Sequence, residues 1–113
     1  MMARGGKLYL KDILDSIQRI ETYTKGLTFS KFSHNKITID AVIRNLEIIG
    51  EASKNLPANL KSLRKEVPWK EMAGMRDKII HEYFGVDLDI VWKTIKASLP
   101  SLKKPLKDIL KNL

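Results

Sequence analysis

The sequence predicts an all-α protein, an antiparallel bundle of four to five helices. Three observations carry this. Apolar residues recur at three- and four-residue spacings along most of the chain, Gly and Pro fall between those stretches, and strand-like alternation is nowhere sustained. At 113 residues the chain is expected to form one helical domain, 1–113, with a single modest core.

The first helix is expected over residues 7–25, where Leu10, Ile13, Leu14, Ile17, Ile20 and Thr24 line one side and Gly26 ends it. The second covers 36–56, with Val42, Leu46, Ile49, Ala52, Ser53 and Leu56 as its seam and Pro57 just beyond. A short basic helical turn follows at 59–65. A third helix starts near Trp69, after Pro68, and is closed by Gly85; Asp87 is the expected N-cap of a fourth, which opens with Leu88, Ile90, Val91, Trp92 and Ile95. Pro100 is expected to break or kink it, and 101–113 to continue as a lysine-rich amphipathic tail.

Composition excludes several classes. With no cysteine there is no disulfide framework, no thiolate nucleophile and no zinc–thiolate site. His34 and His81 lack helical metal-ligand spacing, so neither a metal nor another cofactor is expected. No apolar run reaches the roughly 18–20 residues of a membrane-spanning helix, and the first residues have no signal-peptide core, so a cytoplasmic location with no membrane partner is expected. The net charge is +8, from 21 Lys and Arg against 13 Asp and Glu, which favours polyanions and acidic partners. Residues 54–70 carry five basic groups against one Glu, and 86–113 carry six Lys against three Asp. The stretch 71–85 has two basic and three acidic residues, so positive charge flanks it.

The third helix holds an anomaly. At about 100° per residue, Trp69, Met72, Ala73, Ile79, Ile80 and Tyr83 share a broad apolar face, and Arg76 falls near its centre. A guanidinium there needs an anion or carbonyls to satisfy its five donors. Either it pairs internally with Glu47 or Glu51, which with Arg44, and with Asn45 beside them, form a polar stripe adjoining the second helix's seam, or it lines a cleft or dimer seam and binds phosphate. His81 sits about 140° around the helix from Arg76 and ~7.5 Å further along. Asp77, four residues before His81, can orient its ring. Taken alone, His81 reads as a bystander near a helix end and Tyr83 as a core aromatic.

The segment MRDKIIHEYFG, with Arg76, His81 and Tyr83 in the pattern Arg-x-x-x-x-His-x-Tyr, resembles the motif of HepT-like toxins in the HEPN superfamily. The likeness extends through YLKDILDSIQRIETYTKGLTFSKF (9–32), DAVIRNLEIIGEASKNL (40–56), VPWKEMAGMRDKIIHEYFGVDLDIVWKTI (67–95) and LPSLK, nearly the whole chain. It implies a HEPN-type bundle, a homodimer whose two motifs face one cleft, and metal-independent endoribonuclease activity on RNA. His81 would then move protons and Arg76 would hold the scissile phosphate. The resemblance also implies a toxin–antitoxin pair in which a small nucleotidyltransferase antitoxin transfers AMP to Tyr83. The competing reading is a non-catalytic HEPN module that dimerises and binds a nucleotidyltransferase or nucleotide. A general RNA-binding module, resting on charge alone, is weaker because the few aromatics are not interleaved with the basic clusters.

Overall fold

The computed structural model describes residues 5–81 and 87–113, with the side chains of Arg76 and of 78–81 outside the description. Among the described residues the regular structure is entirely helical. The elements are α1 (Gly6–Thr24), α2 (Phe29–Ser33), α3 (Lys36–Asn55), α4 (Ala58–Lys61), α5 (Trp69–His81), α6 (Leu88–Lys93) and α7 (Leu99–Lys111). Among them, no helix is long and apolar enough to cross a membrane.

The predicted seams of the first two long helices are the ones that pack. Leu10, Ile13, Ile17, Ile20 and Thr24 of α1 are buried, with Leu14 partly so. Val42, Leu46, Ile49, Ala52 and Ser53 of α3 are buried, as is Leu56 just past its end. Each large aliphatic side chain removed from water contributes about 1.5–3 kcal/mol, so these two stripes supply much of the driving force for the bundle. Two polar members of the seams are satisfied by their own helices: Thr24 Oγ1 donates to the Ile20 carbonyl at 2.8 Å and Ser53 Oγ to that of Ile49 at 2.7 Å. α3 is the central element, packed against α1 on one side and α5 on the other, while α7 lies against α1. The close approach of Gly6 to Leu60 and Pro57 puts the start of α1 beside the end of α3, so the two run antiparallel. A Cβ on Gly6 would come within 2.1 Å of Leu60 Cδ1, so that side-chain end would have to shift to admit any other residue here.

The ends follow capping chemistry. Gly26 takes a positive φ of 76°, the left-handed turn that ends α1. Asp87 caps α6 as expected, its carboxylate accepting from the backbone N–H of Asp89 at 2.9 Å and of Ile90 at 3.4 Å. Asn35 caps α3 through the Thr38 N–H at 3.0 Å.

Three features depart from the sequence expectation. The connection between the first two long helices contains a further helix, α2, whose Phe32 is wholly buried. The basic turn expected over 59–65 is helical only over Ala58–Lys61. Of the break or kink expected at Pro100, the break is absent. Instead Thr94–Ser98 widens into a π-helical turn, with the Leu99 N–H bonded to the Thr94 carbonyl, and α7 continues through Pro100 and Pro105. A proline at 100 cannot donate to the Lys96 carbonyl and its ring would crowd it. Widening the preceding turn relieves that conflict without stopping the helix.

Candidate active site

The motif helix is set in place from its first residue. The Trp69 indole N–H donates to the carbonyls of Lys61 and Arg64, both at 3.0 Å, which ties α5 to the loop after α4. Met72, one turn on, is buried in the core, and Arg76 occupies the helical position one turn after Met72. The backbone of Arg76, Asp77 and His81 is α-helical within Trp69–His81. Both motif residues are thus carried by one helix, their backbone positions about 140° apart around its axis and ~7.5 Å apart along it. Asp77 is exposed. The side chains of Arg76 and His81, all of Tyr83 and the expected stop at Gly85 lie outside the described residues.

Beside this helix runs a groove of about 590 Å³, between α5 and the continuous helix made by α6, the π turn and α7. Its floor is Leu46, Met72, Val91, Leu99 and Leu102; Glu71, Gly74 and Met75 line the α5 side, and Ile90, Thr94 and Ser98 the other. Ile90, expected among the apolar residues that open the fourth helix, is 48% exposed at its edge. Asp87, the cap of α6, also lines the groove. A mainly apolar channel beside a motif helix suits a helical partner surface. Sequence reasoning did not find it, because Met75, Ile90 and Thr94 are unremarkable one by one; an apolar Ile90 on the polar side of a capped helix was the available signal.

Arg44, Glu47 and Glu51 occupy a second, polar cleft of about 270 Å³ between α1 and α3, together with Tyr9 and Asp12. The structure therefore brings these three together, and adds Tyr9 and Asp12, which sequence reasoning did not include. Whether Arg76 reaches Glu47 or Glu51 falls outside the described side chains. Asn45, expected beside this stripe, is instead buried: its Nδ2 donates to the Ala41 carbonyl at 2.9 Å, and its Oδ1 has no partner among the described residues. His34, given no role, is exposed, with Nδ1 2.8 Å from the Ser30 carbonyl oxygen.

The HepT-like ribonuclease family matches residues 13–109, which span all of the elements that build both clefts except the start of α1. The chain is 56% identical over 102 residues to the "Probable ribonuclease HepT" of Thermococcus cleftensis, covering 90% of this chain and 93% of that protein. It is 48% identical over 102 residues to the "Putative RNase TTE0752" of Caldanaerobacter subterraneus subsp. tengcongensis, covering 90% and 91% of the two chains. It is 45% identical over 113 residues to the "Putative RNase MJ0125" of Methanocaldococcus jannaschii, covering 100% and 97%. No solved structure matches it. With most of its length matched by the family and more than two thirds covered at these identities, the chain belongs to the HepT-like ribonuclease family.

Proposed function

We propose that the chain is a metal-independent endoribonuclease, the toxic member of a toxin–antitoxin pair, and that it works as a homodimer. The observation that carries this reading is the pairing of Arg76 and His81 on one helix, α5, inside the family-matched region. Because five residues of regular helix separate the two groups angularly, one chain supplies an incomplete constellation, and a twofold dimer completes it with groups from both copies. The apolar groove alongside α5, with Ile90 exposed at its edge, supports an interface on this side of the molecule.

In the proposed reaction His81 takes the proton from a ribose 2′-hydroxyl, whose oxygen attacks the adjacent phosphorus. The bond to the 5′-oxygen breaks, and that oxygen leaves with a proton from a protonated imidazole, the partner copy's in a dimeric cleft. Arg76 holds the non-bridging oxygens and stabilises their added charge as the pentacoordinate state forms. The products are a 2′,3′-cyclic phosphate and a 5′-hydroxyl. The antitoxin, a nucleotidyltransferase, transfers AMP from ATP to Tyr83: the phenolic oxygen loses its proton and bonds to the α-phosphorus as the α–β anhydride breaks and pyrophosphate leaves, and adenylate two residues from His81 adds bulk and negative charge where RNA phosphate must sit.

The test is cleavage of single-stranded RNA by the purified chain in the presence of a chelator, beside Arg76→Ala and His81→Ala. Loss in both variants, with cyclic-phosphate ends from the parent, is the expected result. Equal cleavage by all three would assign the activity to a contaminant and leave the non-catalytic binding module as the reading.

A further inference from the structure

The fold joins two basic stretches that are separate in the sequence. Arg64, in the loop after α4, bonds both Glu66 at 3.0 Å and Asp108 on α7, so residues 61–66 lie against the C-terminal half of α7. Trp69 holds that loop in position through the Lys61 and Arg64 carbonyls. Arg64 thereby occupies both carboxylates of this surface; the Glu66 carboxyl is held below its ordinary value by its own backbone N–H and by Arg64. Lys104 also reaches Asp108, at 3.7 Å, with its side chain 86% exposed. Around this neutralised centre stand Lys61, Lys65, Lys107 and Lys111, which make no salt bridge among the described residues. The last three are exposed. Lys107 and Lys111 are one turn apart on α7, roughly 6 Å along its axis.

We propose that this basic end of the molecule holds the phosphate backbone of single-stranded RNA at a distance from the motif, a proposal that rests on the ribonuclease reading above. The separation follows from the helices. Glu71 and Ser101 line the same groove, α5 runs from there toward His81, and α7 runs the other way past Arg64. At 1.5 Å per residue Lys107 and Lys111 lie roughly 24 and 30 Å along the bundle from the level of His81, several nucleotides along an extended strand. The opposite, motif-bearing end has Asp77, Asp87 and Asp89 exposed, so the two ends differ in charge. A strand anchored by its phosphates at the basic end is presented to the distant site, where Arg76 has only the scissile phosphate to hold.

The experiment uses the full chain and a Lys65→Gln/Lys107→Gln/Lys111→Gln variant, with helicity and melting checked by circular dichroism. Binding of a long single-stranded oligonucleotide is followed by fluorescence anisotropy in the His81→Ala background, and cleavage of the same oligonucleotide and of a dinucleotide in the active background. Three lost phosphate contacts lower the salt slope by about 2 and the affinity by up to about 100-fold at about 0.1 M salt. KM for the long RNA rises, and dinucleotide cleavage is unchanged. Lys→Arg at the same positions restores binding. An unchanged salt slope, or an equal loss on the dinucleotide, overturns the proposal, as does the absence of RNA binding by the parent, which would direct the basic surface to an acidic protein partner. If the parent binds long RNA with the expected slope and cuts neither substrate, the ribonuclease reading fails while the anchoring surface stands.

Discussion

Replacing Trp69 by Phe tests how the motif helix is anchored. Phe keeps an aromatic ring at the half-buried position but removes the indole N–H, which donates to two carbonyls, Lys61 and Arg64, at 3.0 Å each. The net loss of a shared hydrogen bond and the under-satisfied carbonyls together cost about 1–2 kcal/mol. For a chain of 113 residues, the entropy of unfolding is about 0.24 kcal/mol/K, so the melting temperature should fall by about 4–8 °C. The loss should also loosen the 61–66 loop and with it the Arg64–Asp108 bond. A double-mutant cycle of Trp69→Phe with Asp108→Asn should therefore show a coupling of about 0.5–1 kcal/mol in urea unfolding, although the two side chains make no hydrogen bond to each other. A melting point within about 1 °C of the parent would refute the anchoring argument. Strict additivity of the two substitutions would refute the route from Trp69 to Asp108.

Three further substitutions probe where the fold is locally unsatisfied. Ser16 is wholly buried on α1 and its Oγ has no hydrogen-bond partner among the described residues, so Ser16→Ala should stabilise by about 1 kcal/mol, read as a higher urea midpoint at unchanged slope; destabilisation would mean that the hydroxyl is satisfied. Pro105 lies in regular α-helix, whereas Pro100 follows the π turn that accommodates it, so Pro105→Ala should stabilise by about 2–3 kcal/mol and Pro100→Ala by less than about 1. The reverse order in denaturant unfolding would sink the account of the π turn.

Much of the bundle was legible because α1 and α3 are amphipathic helices with one buried stripe, and a three- and four-residue repeat marks that stripe directly. The same logic found the Asp87 cap and the turn at Gly26, where one residue's own chemistry decides the local conformation. It failed at α2, since five residues carry too short a pattern to register, and Phe32 is buried through contacts with elements distant in sequence, among them the Trp92 ring at 5.0 Å. It failed at Asn45, where a polar side chain is drawn inside by a bond to its own helix. Pro100 misled for a related reason: proline's cost is local, but a packed helix can redistribute it over the preceding turn.

For the site, the sequence by itself determined the motif and the anomaly of an arginine on an apolar face, because residue type and helical spacing are one-dimensional facts. It also determined the family, through likeness along 13–109. What only the tertiary structure decided is which surfaces lie side by side. The groove between α5 and α6, the gathering of Arg44, Glu47 and Glu51 with Tyr9 and Asp12, and the union of two lysine-rich stretches through Arg64 and Asp108 all join residues far apart in the chain. The physical reason is that hydrophobic burial is non-directional and fixes only which stripes go inside. Which polar faces then meet across the bundle depends on how the packed helices are arranged around that core, a property no single stripe contains.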